Sequence, residues 1–285
     1  MKNELREAVA RAALEKNRPD GTVYRSLSFM DQRDLAERCG STHAEIQLEA
    51  LRQDIIPEVY ARNQKALSCG DQLKLLQYRV AIIGLGGLGG TVTEILARIG
   101  VGNLTLVDGD CFDDSNLNRQ LLSSVEVLGK KKAEVAAARV KAVNPAVIAT
   151  VKTNFLDDRN GPDIIAGVDL AVDCLDSIKA RFALEKACRT RNIPMVSAAI
   201  GGSTGQVTVI YPHDPGLAKI YGSPEKAADR GVEKILGTLP FAAVSLAAME
   251  CAEVVTVAAG KPAGLRNRLL ITDLADHTLD IVDLI

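Results

Sequence analysis

The amino-acid sequence predicts an α/β protein built on a mostly parallel sheet with helices on both faces. From residue 79 onward, short apolar runs alternate with amphipathic helical stretches, which is typical of βαβ units. The first run, Val80-Ala81-Ile82-Ile83, is continuously apolar, as in strands that are covered on both faces. A glycine-rich stretch stands directly after this run and opens a helical pattern, which indicates a sharp turn at the carboxyl end of a strand.

The individual elements follow from their hydrophobic patterns. Apolar runs predict parallel strands at 79–83, 104–107, 147–152, 170–173 and 194–198. Amphipathic patterns between them predict helices at 87–99, 130–143 and 178–191.

The C-terminal part has a different pattern. The alternating run at 205–211 predicts an exposed antiparallel strand. A connection rich in Pro, Gly and Lys follows at 212–238, and we interpret it as a crossover or lid, because such long loops are usually functional. A buried helix at 241–259 and two short antiparallel strands at 268–272 and 278–282 complete a predicted domain of residues 59–285.

Residues 1–58 are predicted to form a helical N-terminal extension. After a break at 19–21, helices are expected at 31–39 and 41–55, with Ser41 or Thr42 as the cap and Glu45 completing a capping box. The stretch 35–41 is similar to a helix-turn-helix. Because residues 1–60 carry nine Lys or Arg against eleven Asp or Glu, we interpret these helices as a packing or dimer-forming element and not as a DNA-binding one.

Composition restricts the class of protein further. The 285 residues include 34 Lys or Arg and 36 Asp or Glu, a net charge of −2 that offers no field for nucleic acid or an anionic membrane. Six scattered cysteines without a C-x-x-C pair indicate reduced thiols. The sequence shows no signal peptide and no apolar segment of about 18 residues, so we expect a cytoplasmic protein that does not bind membranes.

The glycine-rich stretch at 84–90 is the strongest local sign of a ligand site. Glycines let backbone N–H groups approach a phosphate, and the helix N-terminus adds a partial positive charge. Asp108 ends the second strand about twenty residues on, where an acid commonly binds a ribose, so the fold is predicted to be Rossmann-like. The candidate nucleotide contacts in the stretch are Gly84, Gly86, Gly87, Leu88 and Gly89.

A second cluster indicates a triphosphate. Asn116, Arg119 and Gln120 lie just beyond Asp108, and three lysines at 130–132 open the next helix, of which at least two are expected to be solvated. Cations directed into one cleft neutralise phosphate charge and stabilise leaving pyrophosphate. At the end of the fourth strand, Asp173 is explained equally well by structural hydrogen bonds and by a metal, whereas Asp176 is the better Mg²⁺ ligand.

The combination of these motifs resembles the MoeB/ThiF/HesA adenylyltransferases, which are relatives of the adenylation domain of ubiquitin-activating enzymes. The matching pieces, which together cover about half the chain, are Gly84-x-Gly-Gly-Leu-Gly, Asp108-Gly-Asp110, Ser-Asn116-Leu-Asn-Arg119-Gln120, Gly129-x-x-Lys132, Asp173-Cys-Leu-Asp176 and Gly205-Gln206-Val207.

The resemblance implies roles for these residues. Asp108 would hold the ribose of ATP, with Asp110 and Gln120 in the same nucleotide site. Asn116, Arg119 and Lys132 would hold the phosphates, and Asp176 would position Mg²⁺. Tyr60-Ala61-Arg62-Asn63 is similar to an upstream element of the family whose arginine reaches the triphosphate of the neighbouring subunit, which implies a homodimer.

The implied reaction joins the C-terminal glycine carboxylate of a small ubiquitin-like carrier of the ThiS or MoaD kind to AMP. The carrier would end in Gly-Gly and serve thiamine, molybdopterin or related sulfur metabolism. Pyrophosphate leaves and an acyl-adenylate forms. The carboxylate is itself the nucleophile, so the sequence needs no general base, and the enzyme contributes orientation and charge neutralisation.

The sequence departs from the family in two places. Many members carry two zinc-binding C-x-x-C pairs, but the matching stretches at 213–218 and 266–268 contain no cysteine, so no zinc is expected. Some members carry a reactive loop cysteine, but the stretch at 227–232 has none, which excludes a thioester there. We interpret Cys111 and Cys174 as structural, because small buried cysteines are common.

Three other functions remain open. Zinc-free relatives activate a carboxylate on a modified tRNA nucleoside and cyclise it, although the charge balance offers no tRNA-sized basic surface. An NAD(P)-dependent oxidoreductase would explain the glycine stretch and Asp108, but it leaves the cluster from Asn116 to Lys132 without a role. A scaffold that only binds the carrier is the third alternative.

Overall fold

The computed structural model describes residues 2–63, 65–225, 231 and 233–285. Residues 2–57 form a small group of helices and strands, which we call the N-terminal unit. Its elements, in chain order, are α1 (Lys2–Ala12), β1 (Leu14–Asn17), β2 (Val23–Leu27), α2 (Phe29–Cys39), α3 (His43–Arg52) and β3 (Ile55–Pro57).

The helices of the N-terminal unit confirm the helical extension, but its three-stranded sheet was not predicted. β2 lies between β1 and β3, antiparallel to β1 and parallel to β3. β1 and β3 have only 4 and 3 residues, too few to show a period of two in the sequence. Thr42 caps α3 and forms a capping box with Glu45, as the sequence indicated. The unit has its own apolar core, formed by Val9, Leu27, Leu35, Ile46, Ala50 and Ile55.

A 3₁₀ helix (Glu58–Asn63) and α4 (Cys69–Gln77) lead into the main sheet. Five of its strands pair in parallel, in the spatial order β8-β7-β4-β5-β6. The chain builds β5 and β6 on one side of β4 and β7 and β8 on the other, which creates the crevice where open α/β sheets bind ligands. The bounds of these strands confirm the predicted ones to within three residues: β4 (Arg79–Ile83), β5 (Asn103–Val107), β6 (Ile148–Lys152), β7 (Leu170–Asp173) and β8 (Met195–Gly201).

Helices cover both faces of the parallel strands, as predicted. They are α5 (Gly87–Ile99), α6 (Lys132–Val143), α7 (Gly161–Ile164) and α8 (Ile178–Arg191). Apolar side chains of α5 and α6 form one buried core with the sheet, and those of α7 and α8 form another.

The C-terminal elements form the antiparallel half of the sheet, in the order β8-β9-β10-β11. The elements are β9 (Thr204–Ile210), α9 (Ala218–Tyr221), α10 (Glu233–Leu236), α11 (Pro240–Ala258), β10 (Arg268–Asp273) and β11 (Thr278–Asp283). The prediction that β9 is exposed is wrong, since five of its seven residues are buried. β9 is covered because it lies between β8 and β10 and contacts α11.

α11 also corrects the expectation that no apolar segment reaches the length of a membrane span. This 19-residue helix is long and apolar enough by length and composition, and 44% of its most apolar window is buried in the fold. It packs against α5, β8 and β9 and carries Glu250, which is fully buried. These are the contacts of a core helix, so its apolar composition is only weak support for a membrane span.

Candidate active site

A cavity of about 1070 Å³ opens at the carboxyl ends of the parallel strands, at the crevice between β4 and β7. All but two of the predicted site residues line it: Gly84, Gly86, Gly87, Leu88, Asp108, Asp110, Asn116, Arg119, Gln120, Lys132 and Asp176. The two exceptions are Gly89 and Arg62.

The glycine stretch forms a bend that only glycine fits at two positions. Gly84 has a φ of +89°, and a Cβ there would lie 2.7 Å from the backbone oxygen of Cys174. A Cβ at Gly89 would lie 1.8 Å from the Gly84 oxygen, so Gly89 allows close packing and does not line the cavity. α5 begins after Gly86 without a side-chain cap, which leaves its first N–H groups for an anion.

Asp108 connects this bend to the next strand. Its two carboxylate oxygens accept hydrogen bonds from the backbone N–H groups of Leu85 at 2.7 Å and Asp110 at 2.8 Å. The side chain is 9% exposed and lines the cavity. The acid therefore fixes the shape of the phosphate-binding bend, in addition to any contact with a sugar.

Two cations, Arg119 and Lys132, line the same cavity. Lys132 is buried, with its Nζ 3.4 Å from Asp110 Oδ2. Arg119 is fixed by hydrogen bonds from its Nη1 to the Ser115 oxygen at 2.8 Å and to Asn118 Oδ1 at 2.9 Å. The neighbouring lysines point elsewhere, since Lys130 is exposed and Lys131 donates to the Gly109 oxygen. Only Lys130 is therefore solvated as predicted, since Lys131 is half-buried and hydrogen-bonded and Lys132 is buried.

Gln120 lines the cavity and is 6% exposed. Its Oε1 is buried without a hydrogen-bond partner among the described residues, which is unusual for a polar atom in a native protein.

The two acids after β7 have different surroundings. Asp173 is fully buried, and its Oδ2 accepts hydrogen bonds from Arg181 Nη1 at 2.9 Å and from Ser197 Oγ at 2.6 Å. Its structural interpretation is therefore right, and the expectation that it could face the cleft beside Asp176 is wrong. Asp176 is exposed at the cavity wall. Within the described ranges, no three His, Cys, Asp or Glu side chains lie together as a metal site, so a metal there would need ligand oxygens as well.

Arg181, on α8, was not singled out from the sequence. Its guanidinium donates to Asp173, to the Ala198 oxygen at 2.6 Å and to the Leu175 oxygen, and so fixes the turn that carries Asp176. Burial alone would lower the pKa of Arg181, but the neighbouring acidic groups, Asp173 foremost, together outweigh burial and raise that pKa.

Glu250, on α11, was also missed. Its Oε2 lies 3.8 Å from Cys174 Sγ, and its Oε1 has no hydrogen-bond partner in the part of the chain described. Burial, followed by the charge of Asp173, raises the pKa of Glu250 well above its ordinary value and favours the protonated form. We call Asp173, Cys174, Arg181, Ser197 and Glu250 the charged cluster.

The far wall of the cavity was only partly anticipated. Gln206, on β9, donates to the hydroxyl of Tyr221 at 2.8 Å, and both residues line the cavity. Phe155 lines it near Gly109, where a Cβ would lie 2.7 Å from the phenylalanine ring. Neither aromatic residue belongs to a recognisable motif, so only the fold brings them to the site.

The cysteines fall into two groups. Cys174 is buried, and burial raises its pKa well above its ordinary value, which confirms a structural role. Cys111 is exposed, so its interpretation as a buried residue is wrong. Most of the 227–232 stretch, where a loop cysteine was sought, lies outside the described residues, as does part of the predicted lid.

The two stretches that lack zinc cysteines contact each other. Arg266 holds the Asp214 carboxylate with its Nε and Nη2, at 3.0 and 2.8 Å, and its guanidinium stacks on the Tyr211 ring. Burial would raise the pKa of Asp214, but the hydrogen bonds from Arg266 and from the backbone outweigh it and lower that pKa.

Comparisons with known proteins agree with this geometry. Residues 60–284 match the model of the ThiF family. The chain is 34% identical to the SAMP-activating enzyme E1 of Haloferax volcanii over 74% of this chain and 78% of that protein. It is 36% identical to the molybdopterin-synthase adenylyltransferase of Escherichia coli over 67% and 78% of the two chains.

Two further matches concern longer proteins. The adenylyltransferase and sulfurtransferase MOCS3 of Mus musculus is 34% identical over 84% of this chain, but the match spans only 50% of MOCS3. Among solved structures, Escherichia coli MccB has a similar fold, with a TM-score of 0.68, 22% identity and coverage of 80% and 69% of the two chains.

Proposed function

The chain belongs to the ThiF family, and we propose that it is an ATP-dependent adenylyltransferase that activates the C-terminal glycine of a ubiquitin-like sulfur carrier. The names of its relatives support this substrate class, since they include a SAMP-activating enzyme and a molybdopterin-synthase adenylyltransferase. A carrier ending in Gly-Gly, a role in thiamine or molybdopterin biosynthesis and a cytoplasmic location are parts of the same proposal.

One observation carries the proposal. The cavity combines a glycine bend and an uncapped helix N-terminus with two cations, Arg119 and Lys132. A redox dinucleotide needs the bend but not the cations, whereas a triphosphate needs both.

The proposed chemistry needs no protein nucleophile. An oxygen of the glycine carboxylate forms a bond to the α-phosphorus, and the bond from that phosphorus to the oxygen bridging to the β-phosphate breaks. The leaving pyrophosphate takes the electron pair. Arg119, Lys132 and Asn116 hold the phosphates and offset the charge that develops on the leaving group, and Asp108 supports the bend.

Asp176 is proposed to hold Mg²⁺. Mg²⁺ commonly binds one or two carboxylates together with substrate phosphates, which fits a single exposed carboxylate beside a phosphate site. When bound there, the ion would neutralise phosphate charge. Arg181 would keep Asp176 in place through its hydrogen bond to the Leu175 oxygen.

The cavity has room for a second substrate. Its volume of about 1070 Å³ exceeds the roughly 300–1000 Å³ of common small-molecule sites. The small residues Ala199, Gly201 and Gly205 line part of it, and so does the hydrogen-bonded pair of Gln206 and Tyr221. We expect an extended chain end without side chains to fit beside such small residues.

A carrier-dependent exchange of pyrophosphate into ATP tests the function. Purified protein, Mg²⁺, ATP and a panel of Gly-Gly-ended carriers should give exchange, and Lys132→Ala should reduce it at least about 100-fold. Lys130→Ala is the matched control, because this exposed lysine stands two residues away and outside the cavity. Absence of exchange with every carrier would contradict the substrate class.

The same assay separates the alternatives. Exchange with tRNA in place of carrier would favour the nucleoside-activating reaction, and tighter binding of NAD(H) than ATP in calorimetry would favour a redox enzyme. Unchanged cellular function of Arg119→Ala and Asp176→Ala would favour a scaffold.

We further propose that the active form is a homodimer in which Arg62 serves the partner's site. Arg62 is exposed and does not line the cavity of its own chain. A mixed dimer of Arg62→Ala and Asp176→Ala subunits should recover one working site of two. Failure to recover any activity would contradict sharing of the site.

A further inference from the structure

We propose that the N-terminal unit is a positioning device for Arg62: it holds the 3₁₀ helix Glu58–Asn63 so that this arginine points outward toward the triphosphate site of a second copy of the chain. The proposal rests on the proposed function, since it assumes a triphosphate in the cavity. The unit itself lies outside residues 60–284, which match the family.

The first observation is a line of buried hydrogen bonds from the N-terminal unit to the 3₁₀ helix. Gln32 Nε2 donates to the Leu27 oxygen at 3.0 Å, and Gln47 Nε2 donates to Gln32 Oε1 at 3.0 Å. The Tyr60 hydroxyl then donates to Gln47 Oε1 at 2.9 Å and accepts from Asn144 Nδ2 at 2.8 Å. We call Gln32, Gln47, Tyr60 and Asn144 the neutral relay; none is more than 4% exposed.

The relay ends on the helices that build the active site. Asn144 follows α6 and also donates to the Ala97 oxygen of α5. The Tyr60 ring packs on Gly100, the C-cap of α5, where a Cβ would lie 2.4 Å from the hydroxyl oxygen. Tyr60 is thus fixed between the N-terminal unit and the C-terminal ends of α5 and α6.

Three further contacts hold the segment around Arg62. Glu58 accepts a hydrogen bond from Ser26 and pairs with Lys16 at 3.1 Å. Lys65 pairs with Asp20 of the N-terminal unit. Asn63 donates to Gln72 Oε1 at 3.3 Å. The N-terminal unit therefore contributes most of the anchors.

Arg62 is the exception in this anchored segment. It is exposed and forms no hydrogen bond or ion pair with the residues that the structure describes. Its neighbour on the outward side, Val59, is 47% exposed. The contacts of residues 58, 60, 63 and 65 hold the backbone on both sides of Arg62. Because this backbone is already ordered, less conformational entropy is lost when Arg62 binds a second copy of the chain.

The geometry excludes the arginine's own cavity as its target. The cavity lies at the N-terminal ends of α5 and α6, while Tyr60 is bound at their C-terminal ends. The 13 residues of α5 span about 20 Å, which is longer than an arginine side chain.

The charge of the cavity favours a further cation. Its cationic residues are Arg119, Lys132 and Arg181, and the last is paired with the buried Asp173. The acids Asp108, Asp110 and Asp176 line the same cavity. A triphosphate brings several negative charges into this balanced set, so a cation from another chain would strengthen its binding.

The test compares the affinities for ATP and AMP in calorimetry, because only ATP carries the phosphates that Arg62 would reach. Arg62→Ala should lower the affinity for ATP at least about tenfold, the usual effect of losing one charge-assisted contact. The affinity for AMP should be unchanged. Tyr60→Phe keeps the ring and removes the hydroxyl. It should lower the affinity for ATP by a smaller factor and leave the affinity for AMP unchanged. In the double variant, Tyr60→Phe should add nothing to Arg62→Ala.

Two other variants keep the test decisive. Ser26→Ala removes a hydrogen bond to Glu58 and leaves the neutral relay intact. Like Tyr60→Phe, it should lower the affinity for ATP relative to the affinity for AMP. Gln53→Ala is the control, because Gln53 binds Arg6 and Glu49 within the N-terminal unit, and none of its hydrogen bonds to the described residues reaches the 3₁₀ helix; it should change neither affinity.

Several results would overturn the proposal. They are equal weakening of ATP and AMP by Tyr60→Phe, a full additional loss in the double variant, or an Arg62→Ala variant with wild-type ATP affinity. Carrier-dependent exchange would still stand in those cases, so the function would survive. A wild-type protein that binds ATP no better than AMP would contradict both the triphosphate site and the positioning role.

Discussion

Two buried polar networks lie at opposite ends of the α5 and α6 helices, and they differ in charge. The neutral relay, at the C-terminal ends, contains two glutamines, a tyrosine and an asparagine whose hydrogen bonds follow one another from β2 to α5. The charged cluster, beneath the cavity, contains two carboxyl groups and one guanidinium. Both networks are buried in the interior of the protein.

The difference indicates what each network can do. A neutral chain of paired donors and acceptors fixes geometry and does not respond to pH, apart from Tyr60, whose burial raises its pKa to about 12. Two acids beside one base cannot both be ionised cheaply in the interior, so the charged cluster holds a proton on Glu250. Stability should therefore depend on pH through the cluster near the active site and not through the relay.

The largest effect is expected from breaking the charged cluster. Arg181→Met leaves the buried Asp173 carboxylate with only the hydrogen bonds from Ser197 and Leu175, and should lower the free energy of unfolding by about 3–5 kcal/mol in urea titrations. Arg79→Met is the control, because the Arg79–Asp169 pair lies at the surface and should matter little. A loss no larger than that of the control would show that the cluster contributes no more than a surface pair.

A smaller effect should follow in the neutral relay. Gln32→Met removes the hydrogen bond to the Leu27 oxygen and the one from Gln47 Nε2, at a cost of about 2–3 kcal/mol. The loss should be the same between pH 5 and pH 9, because no group of the relay titrates in that range. A loss that changed with pH would remove the distinction between the two networks.

Glu250→Gln should change the pH dependence of the free energy of unfolding more than its value at any single pH. The pKa of Glu250 is raised in the folded state, so its contribution is fully present below the unfolded pKa of about 4.3 and is lost as the pH rises toward the folded value. Between the unfolded and the folded pKa, this effect lowers the free energy of unfolding by about 1.4 kcal/mol per pH unit. The amide cannot titrate, so unfolding free energies of the variant should fall less steeply above about pH 5. Identical slopes in the variant and the wild type would mean that Glu250 is ionised in the folded protein.

The parallel half of the sheet could be predicted well from the sequence. Its strands carry mostly apolar runs, and its site residues lie just after strands or at the start of a helix. Gly84, Asp108 and Lys132 could therefore be recognised from the local sequence. The prediction of burial was weaker for a strand whose neighbours in the sheet lie far away in the chain. The burial of β9 depends on β8, β10 and α11, which no pattern within β9 reveals.

The charged cluster and the relay illustrate the same limit. Glu250 and Glu253 are the two acids of a mostly apolar helix, which was a visible sign of a buried acid, but the neighbours of Glu250, Asp173 and Cys174, lie some 76 residues away in the chain. Gln32 and Gln47 look like ordinary helix-surface glutamines until α2 and α3 pack together. Pairing between distant polar residues has no period, so it cannot be read from hydrophobic patterns.

The smallest effect is expected at the Arg266–Asp214 pair, far from both networks. Arg266→Met removes the bidentate contact while a long side chain remains over Tyr211, so the variant should lose about 1 kcal/mol, and Arg266→Lys should lose less. The folded pKa of Asp214 is lowered, which means that the pair stabilises the protein above the ordinary carboxyl pKa of 3.8 and loses this effect as the pH falls through the folded value. The difference between wild type and Arg266→Met, measured in urea, should therefore be constant from pH 5 to pH 8 and shrink below about pH 4. A difference that does not decrease at all below pH 4 would assign the stabilisation to stacking on Tyr211 and not to the ion pair that joins the two stretches without cysteines.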